Sequence, residues 1–252
     1  MKTSLPAAVM AALVGVCTQV HAQSSTTPND AQKPQGSLEA SPGFVRPGVL
    51  ADLTWSITYP AAPEVPPVEE LIDIEEPGTI VPKVPVKMEV RVIGSSVKAV
   101  WTNSLGKLLK WEWVPTEAQV SINRSSYSRI FYSTQDLVNP NAIVYTKKMK
   151  RGERADFGGR YYFQNAWSNM FTTTNGRHNV VALINGDIPP TTTPLYQQPT
   201  IESFIKPYLD SQGRIKIGPR DVIYLMELTH TDRNDGGFDL QDLALLVTFT
   251  KQ

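Results

Sequence analysis

The chain has 252 residues, and its 24 Lys and Arg balance 24 Asp and Glu, so the formal charge is zero. That balance gives no general basic field, which excludes a nucleic-acid binder held by phosphate neutralisation. One cysteine, Cys17, excludes a disulfide framework, while the length allows a substantial hydrophobic core.

The first element reads as an export signal. Lys2 supplies the positive start, Leu5 to Val16 is mostly apolar, and Val20 and Ala22 fit a small-residue cleavage site before Gln23. The apolar run is short for a bilayer span, and no later segment approaches one. The expectation is a signal peptide over 1–22 and a chain exported to the periplasm or the medium, with no transmembrane segment after cleavage. Cys17 leaves with the signal, so the exported chain has no thiol. Residues 23–48 are rich in Ser, Thr, Pro, Gln and Asn, and have little apolar content to offset the cost of ordering. They read as a flexible leader, followed by a single β-rich domain over 49–252.

Within that domain, Leu53, Trp55, Ile57 and Tyr59 alternate with polar residues, the period of a strand with one buried face. Residues 60–85 are interrupted by prolines, which remove donors and fix the backbone, and read as an extended crossing. VKMEVRVIG, residues 86–94, is the clearest strand: Val86, Met88, Val90 and Val92 share one side, and Lys87, Glu89 and Arg91 the other. VKAVWT, KLLKWEWV and AQVSIN follow as short strands punctuated by Gly94, Gly106 and Pro115. Trp111 and Trp113 fall on one face at period two, as an aromatic core ladder or a stacking surface for a ligand. SYSRIFYS and NAIVYTKKM continue the pattern, and KKMKRGER, residues 147–154, reads as a solvated hairpin or strand edge.

ADFGGRYYFQNAW carries two further candidate stacking residues, Tyr162 and Trp167, and its Gly158-Gly159 pair permits a bulge or turn. NVVALINGD reads as a strand ending in an Asn185-Gly186 turn. TIESFIK is the one short-helix candidate, over 200–206, with Thr200 as cap and Ile201, Phe204 and Ile205 on one side. DVIYLMEL is apolar on both faces and reads as an interior strand, and ALLVTFT ends the chain as another. Many short strands with regular turn signals predict a mainly β fold. The expected form is a β-sandwich or jelly-roll-like arrangement of antiparallel sheets, with mixed α+β as the alternative.

Between the last two strands lies ELTHTDRNDGGFDLQDL. Asp232, Asp235, Asp239 and Asp242 fall around Gly236 and Gly237, and Glu227 ends the preceding strand. A calcium ion would offset several of these charges at once, using carboxylate and carbonyl oxygens. Calcium fits better than zinc, because the exported chain offers only His178 and His230 and no cysteine. The loop departs from an EF-hand: counting from Asp232, Gly236 takes position five and Leu243 takes position twelve, where ligands are wanted. An Asx-turn cluster that only caps the loop is the competing reading. The candidate ligands are therefore Glu227, Asp232, Asp235, Asp239 and Asp242.

This stretch resembles the acidic ending of bacterial extracellular β-sandwich domains of the fibro-slime and choice-of-anchor type. The resemblance rests on Phe238, Asp239, Asp242 and Leu243, with Glu227 upstream; Gln241 stands where that run often has Asn. It covers about a tenth of the chain. It implies an envelope or extracellular module and, in some members, calcium.

The catalytic inventory is thin. His230 beside Glu227 and Asp232 is the one acid and base grouping, and there is no Gly-x-Ser-x-Gly elbow or nucleotide-binding glycine loop. The leading expectation is a noncatalytic structural, adhesive or interaction module with an extracellular protein or polysaccharide as partner. A carbohydrate-binding module using exposed aromatics is the first alternative, and a hydrolase with an acid and histidine site the second.

Overall fold

The computed structural model describes residues 35–39, 54–58, 65–175, 177–190 and 205–252. The chain divides at Glu64 and Val65 into two compact units. In the first, β1 (Gln35–Glu39) pairs antiparallel with β2 (Thr54–Thr58), from Gln35 opposite Thr58 to Glu39 opposite Thr54. A strand thus forms inside the segment expected as a flexible leader. Backbone pairing, which needs no apolar side chains, supplies its hydrogen bonds.

The second unit is mainly β and sandwich-like, built from antiparallel sheets. Its first sheet takes β5 (Val86–Gly94), β10 (Ile143–Met149), β14 (Val180–Leu183), β15 (Asp221–Met226) and β16 (Leu243–Lys251) in the order β10-β5-β16-β15-β14. The second takes β3 (Ile72–Glu75), β4 (Thr79–Pro82), β8 (Thr116–Ile122), β9 (Ser128–Ser133) and β11 (Ala155–Phe163) in the order β3-β4-β11-β8-β9. Two short strands, β12 (Ala166–Trp167) and β13 (Phe171–Thr172), also pair with β11. A separate two-stranded ribbon joins β6 (Lys98–Thr102) and β7 (Leu108–Trp113).

The alternation in VKMEVRVIG predicts the strand and its buried face correctly. Val86, Met88, Val90 and Val92 are buried in the main core while Lys87, Glu89 and Arg91 stay half-exposed on the other side. The doubly apolar DVIYLMEL explains itself too. Val222, Tyr224 and Met226 face the main core, and Ile223 and Leu225 face a second apolar cluster with Ile93, Ile205, Ile215, Phe238 and Leu240. A strand buried on both faces needs such a second cover.

Three local expectations change. The proline-rich crossing contains the β3–β4 hairpin, turned around Pro77-Gly78, so its prolines bound strands rather than prevent them. Gly158 and Gly159 make no turn: they lie within β11 and allow close approach on both faces. A Cβ on Gly159 would stand 2.6 Å from Leu243 Cδ2, and one on Gly158 2.6 Å from Met170 Cε. Of the helix expected over 200–206, residues 200–204 lie outside the described residues, and 205–208 form a 3-10 turn.

The sheets are tied by Tyr224, which is fully buried. Its ring lies 4.9 Å from that of Phe157 on β11, and its hydroxyl donates to the Gly78 carbonyl at 2.6 Å. Burial pushes its phenol well above the usual range, the Asp156 charge adding to the effect. Replacing Gly159 by Ala forces a methyl against Leu243 and Met226 where the two sheets meet. Overpacking of this kind costs about 1–3 kcal/mol, so Gly159→Ala should lower the thermal midpoint by several degrees. Differential scanning calorimetry checks this, and an unchanged midpoint would contradict the close approach.

Candidate functional site

The register of the last strand pair decides which acids meet. β15 and β16 pair antiparallel up to Met226 opposite Leu243. Glu227 and Asp242 are the next residue on each side, just beyond the last paired positions. The loop between them, residues 228–241, then folds back and brings in Asp239, so that ligand atoms of Glu227, Asp239 and Asp242 all lie within 4.8 Å of one another.

Glu227 organises this loop. Its side chain is fully buried. Oε1 accepts from the Thr229 amide at 3.0 Å, the Thr229 hydroxyl at 2.6 Å and the His230 amide at 2.9 Å. Oε2 accepts from the amides of Asp239 at 3.0 Å and Leu240 at 3.4 Å. Leu240 is held at φ 59°, the left-handed region that a leucine rarely adopts. That conformation, tolerated beside a buried charge, marks a locally over-determined backbone. Asn179 pins the same loop from the 3-10 turn just before β14, donating to the carbonyls of Glu227 at 3.0 Å and His230 at 2.6 Å. Asp242 Oδ2 accepts from the amides of Leu228 at 2.7 Å and Thr229 at 3.1 Å.

Three acids this close cannot all ionise cheaply. Two carboxylates about 4 Å apart repel by roughly 4 kcal/mol at an effective dielectric near 20. Burial pushes Asp242 well above the ordinary carboxylate range, and the charges of Glu227 and Asp239 push it further. Burial, reinforced by Glu227, raises Asp239 to about 6 against the pull of Lys98 and His230. Burial also acts to raise Glu227. The hydrogen bonds from Asp242, Thr229 and the amides of Asp239 and His230 outweigh it, so Glu227 is lowered. Asp242 therefore resists ionisation beside Glu227, whose ionised form its hydrogen bond favours. Lys98 at the start of β6 faces the same cluster: burial lowers its pKa, and Asp239 and Asp242 counteract that.

Of the five candidate ligands, the structure brings together Glu227, Asp239 and Asp242. Asp232 and Asp235 are exposed and cap turns: Asp232 accepts from the Asn234 amide at 2.9 Å, and Asp235 from the Gly237 amide at 2.9 Å. His230 lies 3.6 Å from Glu227 Oε1 through Nδ1 and 3.6 Å from Asp235 through Nε2, with Nδ1 also 2.7 Å from the Thr229 hydroxyl. Sequence reading misses Lys98, because nothing local marks a residue so distant in the chain.

The four stacking candidates form two separate pairs. Trp111 and Trp113 meet on the ribbon with ring centroids 5.1 Å apart at 75°. Tyr162 and Trp167 meet on β11–β12 at 5.0 Å and 56°. Neither pair is coplanar, as a flat sugar-stacking strip would be. Trp167 instead lies under Arg160 at 4.1 Å and against Tyr132 at 5.6 Å. Buried Glu117 holds both Arg129 at 2.7 Å and Arg160 at 2.8 Å. Burial would raise Glu117, and its bonds to Arg160 and Arg129 lower it instead. The sequence signal of this network is the polar side of β8, where Glu117, Gln119 and Ser121 alternate with Ala118 and Val120, but the arginine partners lie on other strands. Comparison with protein families, curated proteins and solved structures finds no match to this chain.

The acids make two predictions. Without divalent cations, the folded state binds the Asp239 proton more tightly than the unfolded chain, since about 6 lies above the ordinary 3.8. Its contribution is fully present below the unfolded value and lost as pH rises through about 6, by on the order of 3 kcal/mol. Denaturation in chelator should therefore show stability falling between about pH 4 and pH 7, a slope that Asp239→Asn reduces, the remainder belonging to Asp242. Second, Asp242→Asn places an amide donor where the shared proton sits and should leave neutral-pH stability equal or higher. Glu227→Gln turns an acceptor of five bonds into a part donor and should cost about 1–3 kcal/mol.

Proposed function

We propose that this chain is an exported, noncatalytic structural or adhesive module of the bacterial envelope or extracellular space, whose final strand is secured by calcium. The observation that carries the reading is the convergence of Glu227, Asp239 and Asp242 at the point where the loop re-enters the sheet. A hard divalent cation would take oxygens from the three carboxylates and complete its shell with carbonyls or water, as calcium does. It would replace the Asp242 proton and relieve the repulsion that raises Asp239. The rest of the module supports a binding rather than a catalytic role. His230 is held between Glu227 and Asp235 at the edge of a loop, and half of the exposed large apolar side chains among the described residues cluster on the β6–β7 hairpin rather than in a cleft beside it. The partner in this reading is an extracellular protein or polysaccharide.

A ligand that binds the folded state alone raises apparent stability, by about 2.7 kcal/mol at a hundred times its dissociation constant. Millimolar calcium should raise the thermal midpoint above that in chelator near pH 7.5. The effect should shrink as pH falls toward about 5, where Asp239 holds its proton. Calorimetry in buffers of different ionisation enthalpy should register proton release on binding. Asp239→Asn and Asp242→Asn should each abolish the calcium effect while remaining folded. Identical melting with calcium and with chelator, and no heat of binding, would show that a proton and Lys98 alone neutralise the cluster.

A further inference from the structure

Ten large apolar side chains are exposed among the described residues, and five of them, Val100, Leu105, Leu108, Leu109 and Trp111, lie in the β6–β7 hairpin. One face of this ribbon is anchored. Ala99 is buried in the main core, and Trp101 packs against it with its ring 6.4 Å from Phe163. The opposite face carries Val100, paired with Trp111, and Thr102, paired with Leu108, all exposed. At the turn Leu105 is 89% exposed.

The turn is built rather than loose. The Asn103 side chain accepts from the amides of Leu105 at 3.0 Å and Lys107 at 2.9 Å. The Asn103 amide donates to the Lys107 carbonyl at 2.9 Å, and the Gly106 amide to the Asn103 carbonyl at 3.0 Å. Gly106 at φ 76° takes the left-handed position the turn requires. The tip thus satisfies four of its own amides internally, the condition for entering a medium that offers few hydrogen bonds. Lys107 follows at once and is exposed. Lys110 lies 4.0 Å over the Trp101 ring, 3.9 Å from exposed Glu112.

We propose that the β6–β7 hairpin docks the protein onto an anionic lipid surface. Leu105, Leu108 and Leu109 enter the boundary between headgroups and acyl chains, and Trp111 lies at headgroup level. Lys107, exposed beside the tip, meets the lipid phosphates, while Lys110 stays over Trp101 on the anchored face. At about 3.4 Å per residue, Leu108 to Trp111 spans about 10 Å, which matches the depth of an interfacial apolar face. Tryptophan behind an apolar tip is the order found at membrane interfaces. Charge distinguishes this occupant from a second copy of the chain. Tip-to-tip contact between two identical ribbons would bring the two copies' Lys107 together, a like-charge contact that opposes it. The same lysine complements an anionic bilayer. This inference does not depend on the calcium site.

The test is vesicle flotation of the protein recovered after export, in chelator, with phosphatidylcholine vesicles and with vesicles that also contain phosphatidylglycerol. Binding is expected only with phosphatidylglycerol, weakened by salt, and with a blue shift of tryptophan emission. The double variant Leu105→Ser, Leu109→Ser and the single variant Lys107→Glu should each weaken binding by about tenfold or more. Their melting should match the parent, because these side chains are exposed. No flotation with anionic vesicles, or variants that float like the parent, overturns the proposal. Self-association lost in the same variants without vesicle binding would assign the ribbon to a second copy instead, and equally overturn it.

Discussion

The antiparallel register between β15 and β16 is the constraint on which the C-terminal half of the sandwich depends. β16 lies between β5 and β15, so its side chains Leu243, Leu245, Val247 and Phe249 form the middle row of the main core. That row reaches the core only if the chain leaving Met226 returns one step away at Leu243. The Glu227 carboxylate enforces the return. By accepting from donors on both limbs of the loop, Thr229 and His230 on one side and Asp239 and Leu240 on the other, it closes the loop through one buried charge. The cost is a second carboxylate beside it at the end of the ladder, and a buried charge that depends on these donors.

The cluster's charge balance then follows from its surroundings. Burial and its neighbours hold Asp242 back from ionising, so Glu227 and, above about 6, Asp239 carry most of the negative charge, which Lys98 offsets in part. The remaining excess is small, so under the calcium proposal a cation would compete with a proton and a lysine rather than fill a bare carboxylate cage. Asp232 and Asp235, one turn away in sequence, cap their own turns in water, where repulsion is screened and nothing forces them together.

Much of the fold was legible because burial follows period two. Val86 to Val92, the double-faced Val222 to Met226 and the terminal Leu243 to Phe249 each announce which side faces apolar neighbours. Less was legible where partners decide. The glycine pair at 158 and 159 looks like a turn signal, yet it marks where Leu243 and Met170 press on a straight strand. The β3–β4 hairpin hides among prolines. At the site, composition identified Glu227, Asp239 and Asp242 as candidates but could not separate them from Asp232 and Asp235. The separation needs the strand register, a long-range pairing that no local window contains. Lys98 and the Glu117 pairing with Arg129 and Arg160 depend on the same kind of non-local placement.

Lys98 also joins the two features that lie outside the core. It opens β6, stands 5.5 Å over the Trp113 ring at the ribbon's base, and feels the charge of Asp239 and Asp242. The base of the ribbon is thus held by cation–π contact and by attraction to the carboxylate cluster, while Ala99 and Trp101 hold its inner face against the sandwich. A two-stranded ribbon is marginal alone. These anchors make this one rigid enough to carry exposed leucines at a fixed tip. Apolar residues on an unanchored loop would collapse onto the nearest core surface. Holding Leu105 out in solvent requires a structure that resists that collapse, and the ribbon's base is where it is built.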